Sequence, residues 1–153
     1  TTTAEQSYFT SIYMLSTTDG WAVGDIGRIY HYDGTNWSLH TTTAEQSYFT
    51  SIYMLSTTDG WAVGQFGHIY HYDGTNWSLH TTTAEGTELT SIYMLSTTVG
   101  WAVGDLGRIY PYDGTNWSLH TSTAEGLKLY SVYMLSATDG WAVDHFGRIY
   151  RYR

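Results

Sequence analysis

The chain has 153 residues, of which 42% are apolar and 17% aromatic, enough to build a hydrophobic core. Six basic residues stand against fourteen acidic ones, and the formal net charge of −8 would repel a nucleic-acid backbone, so we expect no nucleic-acid partner. No run approaches the roughly 18 apolar residues of a membrane helix, and cysteine is absent, so we expect no membrane partner and no disulfide or thiolate chemistry.

The sequence repeats with a period of 40 residues, which divides a single domain, 1–153, into copies 1–40, 41–80, 81–120 and 121–153. The first two copies differ at three positions, where Asp25, Ile26 and Arg28 become Gln65, Phe66 and His68. Such near-identity indicates recent duplication or deliberate construction. A period of about 40 to 45 residues is typical of propeller blades with four strands each.

Within the first copy, four short runs follow one another in chain order. They are SIYMLS at 11–16, WAVG at 21–24, RIYHY at 28–32 and WSLHTTT at 37–43. Each run is too short for a stable helix and is bounded by turn signals, among them Asp-Gly pairs that favour tight hairpins. The pattern therefore predicts a four-stranded antiparallel meander in every copy.

The runs also differ in polarity, which predicts how the strands are placed. The first run contains Ile-Tyr-Met-Leu, apolar on both faces, whereas the fourth alternates and ends in threonine. We expect burial to fall from the first strand to the fourth. The fold class predicted is therefore all-β, a β-propeller whose blades place their first strand innermost.

The segment GWAVGDIGRIYHYDGTNW, residues 20–37, recurs in every copy, cut short in the last. It resembles the repeat of the photosystem II assembly-factor-like propellers, relatives of the bacterial neuraminidase-type (Asp-box) repeats. The resemblance implies a β-propeller used for binding or assembly, with no reaction attached to it.

The fourth copy lacks the seven residues GTNWSLH that supply most of an outer strand. The N-terminal letters TTTAE equal those that end the outer strand at 41–45, so we expect residues 1–5 to complete the last blade in part. We further expect two chains to join head to tail in a homodimeric ring of about eight blades. A closed ring of four blades in one chain is the alternative.

Candidate chemical groups recur with the period, which favours structural roles over catalysis. We expect no enzyme, no metal site and no cofactor, because no His-x-x-x-His motif, acidic calcium loop or asymmetric catalytic set is present. Asp33, Asp73 and Asp113 precede glycine and are expected to cap their own turns. The tryptophans are expected to pack between blades, with stacking on sugar rings as the alternative.

Differences between copies cluster in two connections, the loop before the first strand and the turn between the second and third strands. An antiparallel meander places both at the same edge of a blade, so they predict one ligand-binding face for a protein or glycan partner. This candidate binding face comprises Tyr8, Phe9, Asp25, Arg28, Tyr48, Phe49, Gln65, His68, Asp105, Arg108, Lys128, His145 and Arg148. The sequence thus favours a non-catalytic scaffold or binding module, with a multivalent lectin as the alternative.

Overall fold

The structure is a computed structural model that describes residues 7–153. The described residues form four antiparallel sheets, one for each repeat, which confirms the all-β fold and the four predicted blades. The predicted closing strand, residues 1–5, lies outside the described residues. No helix among residues 7–153 could cross a membrane.

Strands follow one another within each sheet in chain order, as the predicted meander requires. The first blade contains β1 (Phe9–Met14), β2 (Gly20–Gly24), β3 (Arg28–Tyr32) and β4 (Trp37–Thr42). The second contains β5 (Phe49–Ser56), β6 (Asp59–Gly64), β7 (His68–Tyr72) and β8 (Trp77–Thr82). The third contains β9 (Leu89–Ser96), β10 (Val99–Gly104), β11 (Arg108–Tyr112) and β12 (Thr121–Ser122), and the fourth contains β13 (Leu129–Ser136), β14 (Asp139–Asp144) and β15 (Ile149–Tyr152).

The Asp-Gly turn before each outer strand is held by the aspartate, as predicted. The Oδ1 atom of Asp33 accepts hydrogen bonds from the backbone N–H groups of Thr35 and Asn36, both at 2.8 Å. These two bonds lower the pKa of the Asp33 carboxyl below its ordinary value. Gly34 has a φ of 92°, a conformation that favours glycine. Asp73 and Asp113 make the same bonds in their blades.

The outer strand of the third blade is much shorter than those before it. β4 and β8 each have six residues, whereas β12 has two. Nearer the start of the outer segment, only an isolated bridge between Trp117 and Tyr112 pairs it with β11. Pro111 stands on β11 where the first two blades have His31 and His71. Because proline has no backbone N–H, it cannot complete the ladder with the outer strand.

First strands of adjacent blades contact one another, so the first strand is innermost, as predicted. The predicted fall in burial from first strand to fourth is wrong in one respect, since β2 and β6 are the most buried strands. Each lies between two strands of its own sheet, whereas β5 is an edge strand of its sheet. The outer strands β4 and β8 are the most exposed of their blades, as expected.

Each blade packs one face on the next blade. Trp21, Val23 and Ile29 of the first blade are buried against a surface of the second that includes Phe49 and Ile52. The second and third blades repeat this arrangement, and the third and fourth form a smaller cluster around Trp101 and Leu129. The core therefore consists of separate layers between blades, as in a propeller.

The first and last blades each leave one apolar face uncovered. On the first blade, Ile12 is 62% exposed and Met14 45% exposed. On the fourth blade, Tyr133, Trp141 and Ile149 are exposed. They lie on the face that, in the earlier blades, packs on the following blade. The described residues therefore form an open arc, not the closed ring of four blades that was the alternative.

Candidate functional site

The two variable connections meet at one edge of each blade. In the first blade, the N–H of Asp25 donates to the carbonyl of Tyr8 at 3.0 Å, and the N–H of Tyr8 donates to the Asp25 carboxylate at 3.2 Å. The N–H of Gln65 likewise donates to the carbonyl of Tyr48 at 3.0 Å. The structure thus brings the loop and the turn of the candidate binding face together.

In three blades, the side chain that begins the third strand forms a hydrogen bond with a residue of the loop before the first strand. Arg28 donates to the Ser7 hydroxyl at 2.6 Å, and Arg108 donates to the Thr87 hydroxyl at 3.0 Å. In the second blade the pair is His68 and Ser47, 2.5 Å apart. In the fourth blade Arg148 instead forms an ion pair with the carboxylate of Asp144 at 3.7 Å.

Lys128 joins the third and fourth blades at this edge. Its ammonium group contacts the carboxylate of Glu88 and lies 3.2 Å from that of Asp105. Burial opposes the charged form, but the hydrogen bonds to the two carboxylates outweigh it, and the pKa of Lys128 is raised. Lys128 is therefore a cation that holds two blades together.

One member of the candidate binding face is misplaced. Phe49 is fully buried between the first and second blades, so it cannot contact a ligand on the surface. Its counterpart Phe9 is half exposed because no other blade among the described residues covers that face of the first blade. Tyr8 is 78% exposed, and His145 packs its ring on Phe146 at the tip of the last turn.

Sequence reasoning missed the most prominent feature of this edge, a large exposed apolar side chain at each turn tip. These turn-tip residues are Ile26, Phe66, Leu106 and Phe146. The first three have φ values of 54°, 59° and 59°, a left-handed conformation that costs about 1–3 kcal/mol in a bulky residue. A large apolar residue before Gly27, Gly67, Gly107 and Gly147 was the signal in the sequence.

A second missed feature is a cross-strand pair on the hairpin surface. His31 Nε2 lies 2.9 Å from the Asp19 carboxylate, and His71 and Asp59 repeat that contact. In the fourth blade Arg151 makes two 2.9 Å bonds to Asp139. In the third blade the corresponding positions are the uncharged Val99 and Pro111, so the two positions change together.

Tyrosine–glutamate contacts recur beneath the face. The Tyr70 hydroxyl donates to Glu45, and the Tyr110 hydroxyl donates to Glu85 at 2.7 Å. Burial, with the hydrogen bond to Glu45, raises the pKa of Tyr70 to about 12. The hydroxyl is therefore protonated at neutral pH and is a poor nucleophile.

Two further candidate groups are the possible metal ligands and the tryptophans. Within residues 7–153, no three histidine or acidic side chains are grouped so that they could hold a metal ion. Five of the seven tryptophans are buried and serve in packing between blades, namely Trp21, Trp61, Trp77, Trp101 and Trp117.

Comparison with solved structures gives the class of fold. The designed protein Ika4 superposes with a TM-score of 0.75 at 15% identity, covering 97% of this chain and 92% of Ika4. YCF48 from Cyanidioschyzon merolae has a TM-score of 0.75 at 13% identity, covering 95% of this chain and 50% of YCF48. The WD40 β-propeller domain of Doa1 has a TM-score of 0.81 at 11% identity, covering 98% of this chain and 52% of that chain.

These likenesses show that the chain has a β-propeller fold, as the resemblance of residues 20–37 implied. The chain spans about half the length of the YCF48 and Doa1 chains it matches. No protein-family model matches the sequence, and neither does any curated protein sequence. The protein is therefore similar to β-propellers in fold.

Proposed function

We propose that this chain is a non-catalytic propeller scaffold, two copies of which join head to tail in a ring of about eight blades. The observation that carries the proposal is the pair of uncovered faces at the ends of the arc. They are the same two faces that cover each other at every internal junction.

The match is visible residue by residue. Inside the arc, the surface with Phe49, Ile52 and Met54 packs on the blade before it. The first blade presents the same surface uncovered, with Phe9, Ile12 and Met14.

The fourth blade presents the complementary surface. Internally this surface is Trp21, Val23 and Ile29, and in the fourth blade it is the identical set Trp141, Val143 and Ile149. A second copy can therefore cover each end with a junction of the internal kind, and two such junctions close the assembly.

Polar groups at the end faces fit this junction with one change. Internally, the N–H of Ile52 donates to the Ser11 hydroxyl at 3.2 Å, and Ser131 offers the same acceptor to Ile12 of a second copy. Thr10, Thr50 and Thr90 also bond across junctions, but the fourth blade has Tyr130 at that position. The junction between copies would therefore lack one hydrogen bond found inside the arc.

Light scattering on the full chain tests the ring. We expect twice the chain mass of 17.3 kDa. Ile12→Asp should give a monomer because it places a charge in the new junction. The matched control, Leu79→Asp, changes a half-exposed residue of an outer strand and should leave the dimer intact. A monomeric parent chain would contradict the proposal.

Absence of catalysis is part of the proposal, and two features support it. The candidate groups are engaged in structural contacts, with Arg28 bonded to Ser7 and Lys128 placed between Glu88 and Asp105. The Tyr70 hydroxyl, beside Glu45, is buried and has a raised pKa. A turnover assay against a panel of glycosides would contradict the proposal if it detected hydrolysis lost in Tyr70→Phe.

A binding role at the turn tips is favoured by their strained conformation. Phe66 and Leu106 hold exposed apolar side chains in a left-handed conformation, and strain of this kind is concentrated at functional sites. A solved structure of YCF48 holds a D1 peptide, which shows that a similarly folded protein can bind a peptide. We propose a protein partner for the face formed by the turn-tip residues together with the exposed members of the candidate binding face.

Peptide and glycan arrays test this choice. Binding to peptides that falls in Phe66→Ser, but not in the control Leu79→Ser, would support the proposed face. Selective binding to glycans would favour the lectin alternative instead.

A further inference from the structure

A cavity of about 280 Å³ lies between the third and fourth blades, beside β15. Its wall includes Trp101, Met134, Tyr150 and Tyr152. The wall is thus largely apolar and aromatic, which suits an apolar side chain with a flat ring.

The same place is filled at the two earlier junctions. Trp77 lies 5.7 Å from Trp21 and stacks on Tyr72 at 5.3 Å, measured between ring centroids. Trp117 fills the second junction, 5.5 Å from Trp61 and stacked on a tyrosine in the same way.

At the third junction the corresponding walls are Trp101 and Tyr152, 6.1 Å apart. No residue in the described range 7–153 takes the place of the inserted tryptophan. Tyr152 accordingly remains only partly buried, although its counterparts Tyr72 and Tyr112 are buried. The cavity therefore corresponds to the position of an indole ring.

The strand edge beside the cavity is open as well. β15 pairs with β14 along one side, and no strand among residues 7–153 pairs with its other side. In the third blade, the carbonyls of Pro111 and Ile109 accept hydrogen bonds from the outer segment, from Ser118 at 3.3 Å and His120 at 3.0 Å. The corresponding residues of β15 are Arg151 and Ile149, whose backbone groups can bind an added strand.

We propose that this edge and this cavity together bind an extended segment of a partner polypeptide, which adds as the fourth strand and inserts a tryptophan beside Trp101. Backbone hydrogen bonds supply part of the affinity, and the cavity supplies selectivity for tryptophan. Arg148 and Arg151 are already paired with Asp144 and Asp139, but Arg153 also lines the cavity, which favours an acidic residue close to the tryptophan. The chain's own outer segments, Asp-Gly-Thr-Asn-Trp-Ser-Leu-His, have this composition.

This site does not depend on ring formation. Thr1 and Thr2 correspond in sequence to Thr121 and Ser122, which pair with Ile109 and Arg108. A strand that pairs as Thr121 and Ser122 do would use the Arg148–Ile149 end of the edge. The Tyr150–Tyr152 end would still accept the tryptophan-bearing part of a partner.

Calorimetric titration with a synthetic peptide tests the proposal on the full chain. The probe is an acetylated peptide with the sequence of residues 113–120, and we expect one peptide bound per chain. The matched peptide with alanine in place of tryptophan should bind at least about tenfold more weakly, since a buried tryptophan is a typical binding hot spot. Amide hydrogen exchange at Ile149 and Arg151 should slow when the peptide is bound.

A protein variant tests the strand-addition part separately. Arg151→Pro copies the residue found at position 111, so the blade should still fold, but it removes the N–H that faces the peptide. We expect affinity to fall about three- to tenfold, as for the loss of one hydrogen bond. The control Arg151→Ala removes the same side chain and keeps the N–H, so it should bind the peptide more tightly than the proline variant does.

Three outcomes would overturn the proposal. They are no binding heat at millimolar peptide, equal binding of the tryptophan and alanine peptides, and binding of free indole as tight as that of the peptide. The last would show that the cavity takes apolar rings without any added strand.

Discussion

The internal and terminal blades have nearly the same sequence but different environments. Ile12 and Ile52 occupy equivalent positions in identical strands, yet Ile12 is 62% exposed and Ile52 is 4% exposed. Trp141 and Trp61 differ in the same way, at 40% and 1%. The sequence of a blade therefore does not determine how far its side chains are buried. Their burial depends on whether a neighbouring blade covers that face of the sheet.

The energetic unit is consequently the junction between blades and not the single blade. The first two junctions each bury two tryptophans with several aliphatic side chains, whereas a lone blade would leave them in water. Four predictions test this contrast, in order of decreasing expected effect.

Ile52→Ala should lower the free energy of unfolding by about 2–5 kcal/mol, because it opens a hole in a closed junction. Ile12→Ala should cost less than about 1 kcal/mol in the monomeric form, where the side chain is already exposed. Urea denaturation at low protein concentration measures both. Equal losses in the two variants would contradict the view that covering blades decide the contribution of a residue.

Phe66→Asn should raise the free energy of unfolding by about 1 kcal/mol, since asparagine tolerates the left-handed conformation at this turn and phenylalanine does not. Phe146→Asn is the matched control in the fourth blade, where the residue does not have a positive φ. Thermal denaturation should show a gain for the first variant alone. A gain for both would mean that removing an exposed apolar group is the cause.

Pro111→His should lengthen β12 by restoring the backbone N–H that the ladder lacks. We expect a gain of about 0.5–1.5 kcal/mol, the contribution of one hydrogen bond. Amide exchange at Ser118 and His120 should slow relative to the parent chain. Unchanged exchange would show that the short outer strand has a cause other than proline.

Stability should fall in acid through the three turn aspartates. Backbone hydrogen bonds hold the pKa values of Asp33, Asp73 and Asp113 below their ordinary values in the folded chain. Their contribution is therefore complete above the ordinary pKa and is lost as pH falls through the lowered values. Replacing all three by asparagine, which keeps an acceptor oxygen without titrating, should flatten the acid limb of unfolding measured by circular dichroism.

Much of the candidate face could be predicted from sequence, and its errors have clear causes. The shared edge of the loop and the turn followed from antiparallel pairing, and the bonds between Tyr8 and Asp25 lie where that topology requires. Phe49 was wrongly assigned to the exposed loop, because it is the first residue of β5 and its side chain packs between the first and second blades. The turn-tip residues were missed because an apolar residue such as Ile26 is not expected at a position with positive φ.

The sequence by itself determined the blade: its four runs, its turns and its period, because hydrogen bonding and turn chemistry act over fewer than about ten residues. Only the tertiary structure decided which copies are covered, where the arc stays open and where an indole-sized cavity remains. Those properties depend on contacts between residues some forty positions apart, and identical blades do not encode their own neighbours. The same letters therefore give a buried core in one blade and an open surface in another.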